Sequence, residues 1–82
     1  MHEYSLVQAM FDQMADVMEI NHAHAVRRVR VRIGPRAGVD PDLFRTAYDV
    51  YRERTFCADA PLVIEDGASD ELILEQLELE VR

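Results

Sequence analysis

The residues with the most distinctive chemistry stand at the start of the chain. His2 is a large second residue, so we expect Met1 to be retained with a free amine. This amine, the His2 backbone nitrogen and the His2 imidazole can close fused chelate rings on one metal ion. The backbone nitrogen of Glu3 can supply a fourth donor. A planar, all-nitrogen set of donors suits Ni(II) or Cu(II), whereas zinc favours a tetrahedron. Histidine at position 2 is common, so the spacing alone does not identify a metal site.

Three further residues have side chains that could bind metal or act as nucleophiles. His22 and His24 follow the first predicted helix and can contribute to a metal site or form a solvated turn, and we favour the turn. Cys57 is the only cysteine, so it can form neither an internal disulfide nor a thiolate zinc cluster, and we interpret it as a small buried apolar residue. The sequence contains no lysine and no serine-hydrolase or zinc-protease motif. We therefore expect that this protein is not an enzyme.

Composition limits the size of the molecule and the partners it can have. The chain has 82 residues, a formal net charge of −7 and 49% hydrophobic residues, which predicts one globular domain. A strongly acidic protein is a poor match for nucleic acid, whose phosphates attract basic surfaces. No segment is typical of a membrane-spanning helix or a signal peptide, so we expect a cytoplasmic protein.

The first part of the chain has the periodicity of an amphipathic helix. Apolar residues recur at three- and four-residue spacing at Leu6, Val7, Met10, Phe11, Met14, Val17 and Met18. This stripe predicts a helix over residues 4–21, with its three methionines in the core. Ser5 and Gln8 have the spacing of a capping box, which would leave residues 1–3 outside the helix.

A strand and a second helix follow. Valine and isoleucine alternate with arginine towards Ile33, which predicts a strand over residues 25–33. Asp40 before Pro41 is a strong signal for a helix N-terminus, and the apolar pattern continues to about residue 54. The simplest role of Asp40 is therefore to cap this helix. The alternative is that its carboxylate lies near the Met1 amine or His2 and orients or joins the metal ligands.

The C-terminal part of the chain reads as two strands. Residues 62–64 form a short apolar run after Pro61, and the last segment alternates leucine with polar residues from Leu72 to Val81. The alternation slips by one position at Glu75 and Gln76, which predicts a β-bulge. The resulting fold class is α+β, with two helices packed on one face of a three-stranded sheet in the order helix-strand-helix-strand-strand.

An arginine run in the first strand has two interpretations. Arg28, Arg30 and Arg32 can form a binding patch, or they can form cross-strand ion pairs on the solvated face of the sheet. If the first and last strands pair, Glu78 and Glu80 would lie beside these arginines. We favour the ion pairs.

Four segments together resemble the HypA/HybF family of hydrogenase nickel-incorporation proteins, over nearly the whole chain. They are Met1-His2-Glu3-Tyr4-Ser5-Leu6, Val31 to Gly34, Gly38-Val39-Asp40-Pro41 and Glu78 to Glu80. The resemblance implies the same two-helix, three-stranded fold and a Ni(II) site at Met1, His2 and Glu3. It also implies two partners, a HypB-like GTPase and a [NiFe]-hydrogenase large-subunit precursor.

The chain departs from the family pattern between its last two strands. Members of this family carry a zinc-binding domain with two Cys-x-x-Cys pairs there, whereas this chain has only residues 65–70. We therefore expect residues 1–82 to form a single nickel-binding domain without structural zinc. The alternative function is a non-catalytic interaction module that has lost metal delivery together with the zinc domain. In that case the short bridge would favour a homodimer formed by strand exchange.

Overall fold

The computed structural model describes residues 2–81, in which five elements follow the predicted order. These are α1 (Glu3–Asn21), β1 (Ala23–Ile33), α2 (Pro41–Tyr51), β2 (Leu62–Asp66) and β3 (Leu72–Val81). The α+β prediction is confirmed. No helix within the described range is both long and apolar enough to cross a membrane.

The sheet is mixed, with β1 in the centre. Its strand order is β2-β1-β3, with β2 parallel and β3 antiparallel to β1. Arg30 pairs with Gln76 and Val31 pairs with Leu74, so Glu75 is an extra residue on β3. This confirms the predicted bulge, which keeps the leucines on both sides of it directed towards the helices.

The core lies between the sheet and the two helices. Met10, Met14 and Met18 are buried in it, as the apolar stripe predicted. The centroid of the Phe11 ring lies 5.1 Å from that of Tyr51 and 5.6 Å from that of Phe56. These ring contacts join α1 to α2 and to the segment that follows α2. Contacts of this kind anchor the two helices to each other as well as to the sheet.

The other face of the sheet carries the predicted ion pairs. Nη1 of Arg28 lies 3.2 Å from Oε2 of Glu78, and Nε of Arg32 lies 3.1 Å from Oε1 of Glu75. Arg30 is 3.7 Å from Glu65 on β2. The arginine run is therefore paired across the sheet, and exposed pairs of this type contribute about 0.2 to 1 kcal/mol each. Glu80 is not in an ion pair within residues 2–81.

The helix boundaries differ from the predicted ones at two points. α1 begins at Glu3, one residue early, because the Ser5 backbone N–H donates 3.1 Å to the His2 carbonyl and closes the first turn. The predicted capping box is therefore wrong, since Ser5 lies inside the helix and His2 occupies the cap position without a side-chain cap bond. α2 ends at Tyr51, three residues before the predicted end at residue 54. Arg54 itself has a left-handed backbone, with φ of 61°, which is incompatible with a continuing α-helix.

Two of the three strands, β1 and β2, are longer than predicted. β1 begins at Ala23, directly after His22, whose left-handed backbone (φ of 55°) ends α1. β2 continues to Asp66, because Arg32 and Ile33 of β1 still pair with Glu65 and Asp66. Polar residues that looked like loop in the sequence therefore belong to the sheet, where pairing with β1 satisfies their backbone groups.

Candidate metal centre

The N-terminus of α1 exposes backbone nitrogens that the helix does not use. His2 is exposed and has an extended backbone, with φ of −87° and ψ of 96°. Among bonds within residues 2–81, the first amides to donate are those of Ser5 and Leu6, both to the His2 carbonyl at 3.1 and 3.2 Å. The Glu3 amide precedes them and has no acceptor in the helical pattern. A ligand that binds at the nitrogens of His2 and Glu3 therefore breaks no hydrogen bond of α1.

Asp40 is the cap of α2, as the sequence predicted. Its Oδ1 accepts hydrogen bonds from the backbone N–H groups of Asp42, at 2.9 Å, and Leu43, at 3.3 Å. Pro41 occupies the first helical turn, where its missing N–H costs nothing. Both cap bonds use Oδ1, and Oδ2 accepts no hydrogen bond from any residue between 2 and 81.

One hydrogen bond between described residues joins the starts of the two helices. The backbone N–H of Asp40 donates 3.2 Å to Oε2 of Glu3, across 37 positions of sequence. Glu3 and Asp40 are therefore in contact, and His2 precedes Glu3 directly. Met1, the fourth residue of the predicted site, lies outside the described residues.

The charge around this contact is negative. Glu3 and Asp42 lie in the first turns of α1 and α2, and Asp40 caps α2. The N-terminus of a helix carries a partial positive charge, which repels cations. Three carboxylates offset this effect at the point where the two helix N-termini meet, so the location suits a cation better than bare helix ends do.

The other sequence candidates lie elsewhere. His22 caps the C-terminus of α1 and His24 is exposed on β1, separated from His2 by the length of α1, roughly 28 Å for 19 residues. Between residues 2 and 81, no group of three or more histidine, cysteine, aspartate or glutamate side chains is arranged to hold a metal ion.

Cys57 is fully buried, as its interpretation as a small apolar residue requires. Its Sγ lies 4.0 Å from Sδ of Met14. Burial raises the pKa of the Cys57 thiol to about 11, which keeps it protonated at neutral pH. The thiolate is the form that binds metals and attacks electrophiles, so this cysteine is inert.

The contact between Glu3 and Asp40 was not predicted from sequence. The sequence placed Glu3 just outside the first predicted helix and Asp40 at the cap of the second. A position of the Asp40 carboxylate near the Met1 amine or His2 was the alternative. Nothing in the spacing indicated which donor the Glu3 carboxylate meets, because that depends on how α1 and α2 pack together.

Comparison with known proteins places these features in one family. Residues 1–78 match the profile of the family described as hydrogenase/urease nickel incorporation, metallochaperone, HypA. The chain is 38% identical over 65 residues to the hydrogenase maturation factor HypA of Shewanella baltica, covering 79% of this chain and 56% of that protein. It is 37% identical over 83 residues to the hydrogenase/urease maturation factor HypA of Helicobacter pylori, covering 100% of this chain and 64% of that protein.

Solved structures agree with the sequence matches. The solution structure of the Ni metallochaperone HypA from Helicobacter pylori matches with a TM-score of 0.86 and 27% identity, covering both chains in full. A second HypA solution structure matches with a TM-score of 0.78 over 95% of each chain. The chain spans about half to two thirds of the length of the curated relatives that it matches.

Proposed function

Since this chain belongs to the HypA family of hydrogenase and urease nickel-incorporation metallochaperones, we propose that it binds one Ni(II) ion at its N-terminus for delivery to a [NiFe]-hydrogenase. The family consists of maturation factors that carry metal and do not catalyse a reaction. The observation that carries the proposal is the position of His2, which is exposed and directly precedes Glu3, whose amide donates to no acceptor among residues 2–81.

The proposed ligands are nitrogen atoms. They are the Met1 amine, the backbone nitrogen and imidazole of His2, and the backbone nitrogen of Glu3. Deprotonation of the two amides costs α1 no hydrogen bond, which supports this donor set over one placed deeper in the helix. Four nitrogens in a plane favour Ni(II) and disfavour zinc.

Asp40 is proposed to hold the site in place. Its backbone N–H contacts the Glu3 carboxylate, and its Oδ1 is held by two backbone donors of α2. The remaining oxygen, Oδ2, can orient the ligand nitrogens or enter the coordination sphere. Either role requires the packing of α1 on α2 to be intact.

Delivery requires the ion to be released. The amine and the imidazole must both be deprotonated to bind nickel, so a fall in pH weakens the site through competition with protons.

We propose a HypB-like GTPase and a [NiFe]-hydrogenase large-subunit precursor as the partners in delivery. A homodimer formed by exchange of β3 is a further proposal, because the bridge over residues 65–70 is short.

The test is a titration of untagged protein with Ni(II). Calorimetry should detect one site per chain, and the spectrum should show the weak d–d band of square-planar nitrogen coordination. His2→Ala, or one extra residue before Met1, should abolish this site. His24→Ala is the matched control, since His24 is also exposed but lies at the far end of α1.

The same titration with Zn(II) measures selectivity. Zinc should bind the N-terminus more weakly than nickel, because it does not readily deprotonate backbone amides or favour a plane. Unchanged nickel affinity in both His2→Ala and the extended N-terminus would refute the proposed site.

A further inference from the structure

The outer edge of β3 is a long strand edge without a neighbour. The order β2-β1-β3 places β3 at the margin of the sheet, and no strand within residues 2–81 pairs with its outer side. Alternate residues of its ten direct their N–H and C=O groups outwards. An edge of this length is a template for another extended chain.

A groove runs beside this edge, between β3 and α1, and its apolar floor is bordered by the polar residues Gln13, Asn21 and Gln76. Its floor is formed by the half-buried Leu74, Leu77 and Leu79, and Val17 lines it from the helix. Towards the start of β3 the groove continues past Leu6 and Ala9 of α1. Here the Leu72 side chain, which pairs with the buried Ile33, is 37% exposed. A strand added to β3 would bury one row of its side chains along this groove.

The opposite face of β3 is acidic. Glu75, Glu78 and Glu80 lie on this strand, which contains no basic residue. Arginines of β1 contact Glu78 and Glu75 from the inner side, yet these two carboxylate side chains remain 43% and 31% exposed. Glu80 is exposed and is not in an ion pair within the described residues.

We propose that the outer edge of β3 binds an extended segment of a partner protein in which apolar residues alternate with arginine or lysine. The apolar row would fill the groove beside α1, and the basic row would face the three glutamates. β1 has this same pattern, with Val29, Val31 and Ile33 buried and arginines between them, and it occupies the other side of β3. The proposal does not depend on nickel binding.

A second copy of the chain fits this edge poorly. Antiparallel pairing of β3 with another β3 would place the row of glutamates opposite an identical row, and like charges directly opposite are destabilising. Each chain also has a formal net charge of −7, which adds long-range repulsion. Charge therefore selects a basic partner over edge-to-edge pairing of two β3 strands.

The probe is a synthetic seven-residue peptide that alternates arginine and valine, with both ends blocked. A glutamate-valine peptide of the same length controls for charge, and a peptide of the same composition with its arginines in one block controls for alternation. Binding is measured by fluorescence anisotropy and mapped by the backbone amide shifts of the labelled protein. The arginine-valine peptide should bind saturably, with shifts concentrated on residues 72–81 and on the side of α1 that faces them.

Two matched pairs of variants test the two halves of the surface. Glu80→Arg should weaken binding of the arginine-valine peptide by about three- to tenfold, while Glu53→Arg, an equal charge change on an exposed residue away from β3, should not. Val17→Gln should weaken binding through the groove, whereas Ile20→Gln on an exposed part of the same helix should not. Thermal melting and nickel titration of each variant verify that the fold and the N-terminal site are intact.

Several results would overturn the proposal. These are the absence of saturable binding, equal binding of the glutamate-valine or block peptide, amide shifts away from β3, and an unchanged affinity in Glu80→Arg. Sedimentation that shows a dimer with β3 amides protected from exchange would assign the edge to a second copy instead.

Discussion

Asp40, at the start of α2, forms two kinds of hydrogen bond: its side chain caps α2, and its backbone N–H contacts α1. The carboxylate of Asp40 caps α2 through two N–H donors, while its own N–H donates to Glu3 of α1. The structural role needs an oxygen acceptor, whereas the proposed role beside nickel needs a charge. These two requirements can be separated by substitution.

We predict that Asp40→Ala lowers the free energy of unfolding by about 0.5 to 2 kcal/mol, because the two cap bonds are lost. Asp40→Asn should lower the free energy of unfolding by much less than Asp40→Ala does, since asparagine caps nearly as well as aspartate. Chemical denaturation measures both. If Asp40→Asn also leaves nickel affinity unchanged, the carboxylate has no role at the metal and Asp40 is a cap only.

Also at the residue scale, two buried groups resist ionisation at high pH. Burial raises the pKa of Cys57 from 9.0 to about 11 and raises the pKa of Tyr48 well above its ordinary value. The Tyr48 hydroxyl donates 2.7 Å to the Ala60 carbonyl, which favours its protonated form. Both groups are neutral in the folded state and can lose a proton more readily once the chain unfolds.

We predict that stability falls as pH rises from about 9 to 11. In this window the unfolded chain releases the Cys57 proton and the folded chain retains it, so each pH unit costs up to about 1.4 kcal/mol for this group. The contribution is fully present below pH 9.0, the ordinary thiol pKa. Urea denaturation at several pH values measures the slope. Cys57→Ala should reduce that slope between pH 9 and 11, and an equal slope in both proteins would contradict the assignment.

At the scale of elements, the connection between β2 and β3 is held down by the end of β1. The Gly34 N–H donates to Glu71, the Arg36 N–H donates to Ser69, and the Gly67 N–H donates to the Ile33 carbonyl. The connection therefore crosses β1 in close contact with Gly34. A Cβ at this position would lie 2.2 Å from the Ser69 carbonyl oxygen, which is a backbone atom with little freedom to move.

We predict that Gly34→Ala destabilises the protein by about 2 to 4 kcal/mol, because the crossing connection must shift away from β1. Gly67→Ala is the matched control, since its Cβ would meet the nearest atoms at 3.1 Å, one of them in the flexible Glu71 side chain. Thermal melting should rank Gly34→Ala clearly below Gly67→Ala. Equal melting temperatures would mean that the connection is looser than its hydrogen bonds indicate.

At the scale of the whole molecule, one apolar core joins both helices and the sheet. The buried set includes residues from α1, β1, α2 and β2, and the half-buried leucines of β3 pack against it. The resemblance to the HypA/HybF family implies an inserted zinc domain between β2 and β3. In this chain, residues 67–71 make a short connection there that is held by backbone hydrogen bonds.

We predict that the protein of residues 1–82 folds without zinc and contains well below one zinc ion per chain after purification. A structural zinc site uses four ligands, mostly cysteine and histidine, and Cys57 is the only thiol and is buried. Elemental analysis and melting with and without a chelator provide the measurement. Stoichiometric zinc that survives His2→Ala would show that a site exists away from the N-terminus.

Periodicity was sufficient to determine the elements and the faces they bury. The apolar stripe of α1 and the valine-arginine alternation of β1 report burial directly, because a side chain's face follows from its position in a regular repeat. The same logic located the bulge at Glu75, since a slip in alternation must be absorbed by an extra residue if both halves are to face the core. The chelation proposed for His2 is equally local, because chelation by adjacent backbone atoms needs no tertiary contact.

Contacts between distant segments were decided only by the tertiary structure. The hydrogen bond from Asp40 to Glu3 spans 37 residues, and the crossing of Gly34 by the β2–β3 connection depends on strand order, which no repeat encodes. The capping-box prediction was also wrong, although it concerned neighbouring residues. Ser5 and Gln8 have the spacing of the motif, but Ser5 lies inside α1 and His2 occupies the cap position. Local sequence specifies which groups are able to bond, whereas the packing of α1, α2 and the sheet determines which of them meet.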